Sequence, residues 1–240
     1  YLLVTFWTGN KDGPVYGEIF NDALDQGFLN NYYAIRSRLN TGGFRFLTHD
    51  AELTLDDVQD NRIALTTTIG DPASGDGAGR CNPYYLWKRL LVNSEFRQLL
   101  ADRIQKHFFN NGALTTTAAT ARFQALADEM DRAIVGESAL WGDCPQPGSP
   151  LTRNDWINEI NLKLSNYFPY RSGIVLDQLR SKGLFPSITA PVMSSTGGVV
   201  SVGSTVSLTH ANASGAIYYT VDGSDPRAIG GAINSSAISY

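Results

Sequence analysis

Between Leu184 and Gly198 the sequence changes character, and that change limits what the chain can fold into. From Asn82 to Leu184 apolar residues recur every three or four positions, the period of amphipathic helices. After the Pro/Ser/Thr/Gly stretch "FPSITAPVMSSTGG" that period is gone, and β-branched and aromatic runs, "VVSVGSTVSLTH" and "AIYYTVDGSDPRA", are bounded by Gly, Asn and Asp. A chain of 240 residues is long enough for one sizeable core plus a small module. The expected class is α+β: a mostly helical body followed by a small β-sandwich module.

Capping chemistry sets the helix limits. Asn82 as N-cap with Pro83 at the first helical position opens a run carrying Leu86, Leu90, Phe96, Leu100, Ile104 and Phe108. A break falls at Asn93 and Ser94, and Gly112 terminates the run. A second helix is expected from near Thr117 to Val135, with Phe123, Leu126, Met130 and Ile134 in the core. Thr152 caps a third, bearing Trp156, Ile160 and Leu164; a fourth begins near Tyr170, turns Ile174, Val175 and Leu179 inward and stops at Gly183.

Ahead of these helices, "YLLVTFW" is apolar and β-rich, while "GFRFLTHDAE" places Phe44, Phe46 and Thr48 on one face in strand alternation. If that strand continues, Asp50 and Glu52 project to the same side. Such a pair is either a strand end running out into solvent or a pair of carboxylates sharing a divalent cation such as magnesium. Asp12 in "TGNKDGP" and Asn30 and Asn31 in "LNNYYAIR" supply further polar groups. Phosphoryl transfer uses an acid to orient the incoming hydroxyl, and an Asn and an Asp to hold metal over the phosphates. Asp12, Asn31 and Asp50 fit those roles in chain order, although the interval from Asp12 to Asn31 is longer than in typical protein kinases.

Other chemistries find less support. The net charge is −4 and no basic run is interleaved with aromatics, which argues against nucleic-acid binding. No run of about 18 apolar residues suggests a membrane span. The loop "TTTIGDPASGDGAGRCNP" lacks the Gly-Lys-Ser/Thr of a phosphate-gripping loop, and no Gly-x-Ser-x-Gly elbow occurs. His49, His107 and His210 lie in three separate segments. Asp222 and Asp225 in the "DGSDP" turn have too few oxygen ligands nearby for calcium. Cys81 and Cys144 read equally as one bridge in an exported protein or as two free thiols. Starting without Met and ending within "SSAISY", the sequence reads as a fragment cut at both ends.

Six pieces in order, "GNKD", "NNYYAIRSR", "GGFRFLTHDAELTL", "VNSEFRQLLADRIQKHFFNNGALT", "ESALWGD" and "FPYRSGIVLDQLRSKGLFP", resemble the CotH kinase-like family, spore-coat proteins with an atypical protein-kinase fold and exported bacterial members. The resemblance implies that Asp12 is the catalytic acid and that Asn31 and Asp50 are metal ligands with Glu52 beside them. It further implies ATP and Mg2+ as cofactors and a protein substrate. Relatives lack most of "VYGEIFNDALDQGFL", which leaves Asn30 and Asn21 as rivals to Asn31, and Leu140 stands where relatives carry Arg before Trp141. The piece "GSTVSLTHANASGAIYYTVDGSDPR" resembles the chitobiase/β-hexosaminidase C-terminal-type domain of secreted multidomain proteins, which implies an exported or cell-surface location and contact with carbohydrate or the cell surface. The expected division is 1–186 for the kinase-like part without its nucleotide lobe, 187–198 for a linker and 199–240 for a partial β module. Without that lobe the piece is expected to be inactive. Adenylylation or glutamylation on the same fold, and a non-catalytic surface-adhesion scaffold, are the alternatives.

Overall fold

Leu3, Phe6 and Trp7 stand three and four residues apart, and the N-terminal segment coils into helix α1 (Leu2–Thr8) with all three buried. The β-rich reading of "YLLVTFW" is thereby corrected: a helical period was present beneath the β-forming residue types, and burial of that face outweighs strand propensity. α1 ends at Gly9, whose φ of 64° is left-handed, with Gly9 N–H donating to the Phe6 carbonyl and Asn10 N–H to that of Thr5. This is the helix-ending turn that favours glycine. The computed structural model describes residues 1–11, 13, 31–39, 42–63, 83–195 and 197–240, and Asn82, Cys81 and the Gly-rich loop before them lie outside that set.

Strands β1 (Tyr32–Ile35) and β2 (Arg45–Thr48) form an antiparallel pair in which Tyr32 opposes Thr48 and Ile35 opposes Arg45. Helices α2 (Pro83–Leu90) and α3 (Ser94–Phe108) are separated at the expected break, and Asn93 accepts from Phe96 N–H as the N-cap of α3. Gly112 turns the chain where a Cβ would run into the Lys106 and His107 carbonyls. Helices α4 (Thr116–Trp141), α5 (Arg153–Asn166) and α6 (Phe168–Ser181) pack on one another. α5 opens with a reciprocal cap between Thr152 and Asp155, and α6 has Pro169 in its first turn, where no intrahelical N–H is lost.

Ile104, Val175 and Leu179 are fully buried, and Trp7 packs edge-on against Phe168 at 5.3 Å and Tyr167 at 5.8 Å. The inward stripe of α4 differs from the expected one. Ala119 and Ala127 are buried and Phe123 packs on the core, whereas Leu126 and Met130 are about half exposed. One residue is about 100° of helix rotation, so the Ala119–Phe123–Ala127 line turns Leu126 aside. Leu86 and Leu90, also expected inside, are exposed along the wall of an apolar cavity of about 580 Å3 between α1, α2 and α3.

The β-rich C-terminal runs form only short pairs: β3 (Val192–Met193) with β4 (Leu208–Thr209), and β5 (Tyr218–Tyr219) with β6 (Ile238–Ser239). β3 lies inside the stretch expected as a linker. This region sits against α3, where Arg227 makes a two-pronged ion pair with Asp102 at 2.6 and 3.1 Å and Glu95 accepts from Gly230 N–H. Cys144 is exposed and unbridged.

Leu179→Ala is expected to cost about 2–5 kcal/mol in urea unfolding. Leu126→Ala, on the exposed side of α4, is expected to stay within about 0.5 kcal/mol of the parent. Equal losses would return Leu126 to the core.

Candidate functional site

Two backbone hydrogen bonds assemble the site. Lys11 N–H donates to the Leu53 carbonyl at 3.0 Å, and Leu55 N–H donates to that of Thr8 at 2.8 Å. The turn leaving α1, which leads directly to Asp12, therefore lies alongside the segment that follows Asp50 and Glu52. Asp12 itself lies outside the described residues, as do the rival candidates Asn30 and Asn21. Its neighbour Gly13 is buried, and a Cβ there would come within 3.2 Å of the Asn10 side chain and 3.3 Å of Thr5 Cγ2.

The β1–β2 register supplies the other half. Asn31 immediately precedes Tyr32 and Asp50 follows Thr48 by two residues, so the Tyr32–Thr48 pair puts Asn31 and Asp50 at the same end of the hairpin. Asn31, Asp50 and Leu55 all have left-handed backbones, with φ of 56°, 47° and 58°. Asn and Asp tolerate that conformation, but a branched, bulky Leu does so only when its surroundings impose it. At Leu55 the Thr8 carbonyl and partial packing against the core impose it.

Expectation and structure part at Asp50 and Glu52. β2 ends at Thr48, and the left-handed turn at Asp50 breaks the two-residue alternation that put the two carboxylates on one strand face. Both are exposed, in a loop rather than on a strand. No group of three or more His, Cys, Asp or Glu side chains spaced to hold a metal occurs among the described residues.

Along the segment that follows the exposed acids lies a charged cluster that the sequence reading did not single out, buried at Asp60 and Arg62 and open to solvent at Asp56. Lys11 pairs with Asp56 and stands 3.8 Å from Asp60, while Arg62 meets Asp60 at 3.1 Å. The hydrogen bond to Asp56 raises the Lys11 ammonium above its ordinary value, and the same bond holds the Asp56 carboxyl below the usual range. Deeper still, Arg171 of α6 is fully buried and donates to three backbone carbonyls: Nε to Trp7 at 2.8 Å, and its two terminal nitrogens to Phe6 and Val58. Burial lowers the pKa of this guanidinium, and burial likewise pushes the Tyr167 phenol up while its O–H donates to Trp7 carbonyl at 2.7 Å. Trp7 Nε1–H donates to Ser172 Oγ, so three residues of the "YFPYRS" stretch grip the end of α1. A sequence signal for this layer existed: Arg171 occupies an inward position between Phe168 and Val175 on an otherwise apolar stripe.

The sequence model of a family described as CotH kinase protein matches residues 15–174, and that of the chitobiase/beta-hexosaminidase C-terminal domain matches residues 195–237. The first match covers well over half of the chain, which belongs to the CotH kinase family. Its two matches follow in the order expected from the sequence. The family match starts after Asp12 and includes Asn31, Asp50 and Glu52. No curated protein and no solved structure matches the chain. No described helix is long and apolar enough to cross a membrane.

The Lys11–Asp56 pair has a defined pH window. Because the folded-state value of Asp56 is depressed, its contribution is present above the ordinary Asp value near 3.9 and is lost as pH falls through the lower folded value. Lys11 is raised, so its contribution is complete below about 10.4 and is lost as pH rises through the higher folded value. The side-chain carboxyl 13C titration of Asp56 is expected to have a midpoint below about 3.9 and to return there in Lys11→Met. An unchanged midpoint would remove the pair from the site.

Proposed function

We propose that this chain is the catalytic-lobe part of an exported or cell-surface phosphotransferase that moves a phosphoryl group from ATP to a protein hydroxyl. The observation carrying this reading is the convergence of two segments. The hairpin register sets Asn31 and Asp50 at one end of the β1–β2 pair, and the Lys11–Leu53 hydrogen bond draws the residue before Asp12 alongside the chain after Asp50. Family membership supports it. Asp12 orients the incoming hydroxyl and accepts its proton. Asn31 and Asp50 offer an amide oxygen and a carboxylate, with Glu52 as a further oxygen donor in the same loop.

These are hard oxygen donors in small number, a set suited to magnesium, which keeps several waters and takes one or two carboxylates together with phosphate oxygens. The exposure of Asp50 and Glu52 leaves their oxygens open to such an ion. When bound, the metal would neutralise charge on the phosphates. The residues 1–186 form the kinase-like unit, completed by a nucleotide lobe outside this chain. The C-terminal module contacts carbohydrate, as its family name suggests, or the cell surface.

With the full-length protein, magnesium-dependent transfer of labelled phosphate to a protein acceptor is expected, falling by about 100-fold or more in Asp12→Asn. The 240-residue chain alone is expected to give none. Asp50→Gly should abolish transfer while leaving stability within about 1 kcal/mol, because glycine adopts the left-handed backbone without strain. Retained transfer in both variants, or a nucleotide or amino-acid adduct in the product mass, would overturn the phosphotransfer reading.

A further inference from the structure

The guanidinium of Arg171 touches both arms of the candidate site. On one side it holds the Phe6 and Trp7 carbonyls, the last turn of the helix that runs into Asp12. On the other it holds the Val58 carbonyl, in the segment that runs on from Asp50 and Glu52. A second contact from the same helix reinforces the second arm, where Gln178 Nε2 donates to the Gln59 and Asp60 carbonyls at 3.1 and 3.3 Å. Tyr167 and Ser172 reinforce the first.

A planar guanidinium presents several N–H donors in fixed directions, so carbonyls bound to one such group are held at fixed separation; an ammonium imposes no such geometry. Arg171 is also placed where a cation belongs, at the C-terminal end of α1, whose last carbonyls lack intrahelical partners. Asp60 lies close by. A Cβ at Gly9 would stand 3.4 Å from Asp60 Oδ2 and 3.5 Å from the Arg171 guanidinium, so glycine at that turn lets carboxylate, backbone and guanidinium share the space. Asp60 Oδ2 accepts no hydrogen bond and is buried, which leaves its charge facing this cationic neighbourhood of Lys11, Arg62 and Arg171.

We infer that Arg171 is a positioning residue, a clamp that fixes the separation between the Gly9–Lys11 turn, which precedes Asp12 in the chain, and the Asp50 loop, and thereby the spacing of the metal-binding and proton-accepting groups. This rests on the phosphotransfer reading of those residues. It assigns to α6, which is remote from them in sequence, control over their alignment.

The test uses Arg171→Lys in this chain, with Tyr167→Phe as a milder variant that removes one donor from the Trp7 carbonyl and Val175→Ala as a core control. Hydrogen exchange of the Lys11 and Leu55 amides reports the joint between the arms, and Mn2+ broadening of the Tyr32 amide reports cation binding. In Arg171→Lys both amides are expected to exchange at least tenfold faster, and the Mn2+ midpoint to rise by about 10- to 100-fold, as supporting residues around metal ligands typically require. Tyr167→Phe should move both in the same direction by less, and Val175→Ala should lower stability without moving the midpoint. Unchanged amides in both clamp variants overturn the clamp. Faster exchange with an unchanged midpoint reduces Arg171 to a fold residue and overturns the positioning role, while the phosphotransfer reading stands. A midpoint that moves equally in Val175→Ala has the same meaning. Absence of any Mn2+ broadening that Asp50→Gly removes overturns the site reading, and the positioning role falls with it.

Discussion

The buried guanidinium of Arg171 is the interaction on which the rest of this molecule is hung. Taking a cation out of water costs several kcal/mol even after relaxation. Three backbone carbonyls offset that cost, two of them at a helix end where the peptide dipoles already favour positive charge. Because the acceptors are backbone, the arginine fixes the course of the chain instead of a single side chain. The end of α1, the turn after it and the segment through Val58 are all placed relative to α6 by this one group and its neighbours Tyr167 and Ser172.

The left-handed residues form a second constraint, of opposite energetic sign. Leu55 in particular holds a conformation that costs roughly 1–2 kcal/mol for an L-residue, sustained by its hydrogen bond to Thr8. Such strain persists only where surrounding contacts over-determine the backbone. Here the over-determination comes from the adjoining ion pairs of Lys11, Asp56, Asp60 and Arg62 and from the Arg171 contacts to Phe6, Trp7 and Val58. The acids themselves, Asp50 and Glu52, stay exposed to solvent in the loop that precedes this cluster.

Local signals were legible wherever a single residue type settles a backbone problem. The break at Asn93, the cap at Thr152 and the stops at Gly112 and Gly183 all fall at the positions read from the sequence, and the structure adds that Asn93 itself caps α3 and that Asp155 answers Thr152. The order of the two family matches was equally readable, because several motifs in sequence are far more specific than any one. What could not be read depends on contacts distant in sequence. The helical spacing of Leu3, Phe6 and Trp7 is overshadowed by their β-forming residue types until α6 supplies a surface to bury them. Leu126 and Met130 fit a helical stripe as well as Ala119 and Ala127 do, and only the close approach of neighbouring helices selects the small residues. The alternation that aligned Asp50 with Glu52 holds only while a strand lasts, and hydrophobic pattern carries no information about a left-handed turn two residues beyond it.

Helix α3 has two occupied sides. Phe96, Leu99, Leu100, Arg103 and His107 wall the apolar cavity beside α1, while Glu95 and Asp102 hold the C-terminal β region through Gly230 and Arg227. The β region is thus fastened to α3 by side-chain contacts as well as tethered by the chain. The Arg227–Asp102 ion pair is exposed to solvent and weakens at high salt. Ionic strength thus sets how firmly the β region is held to α3.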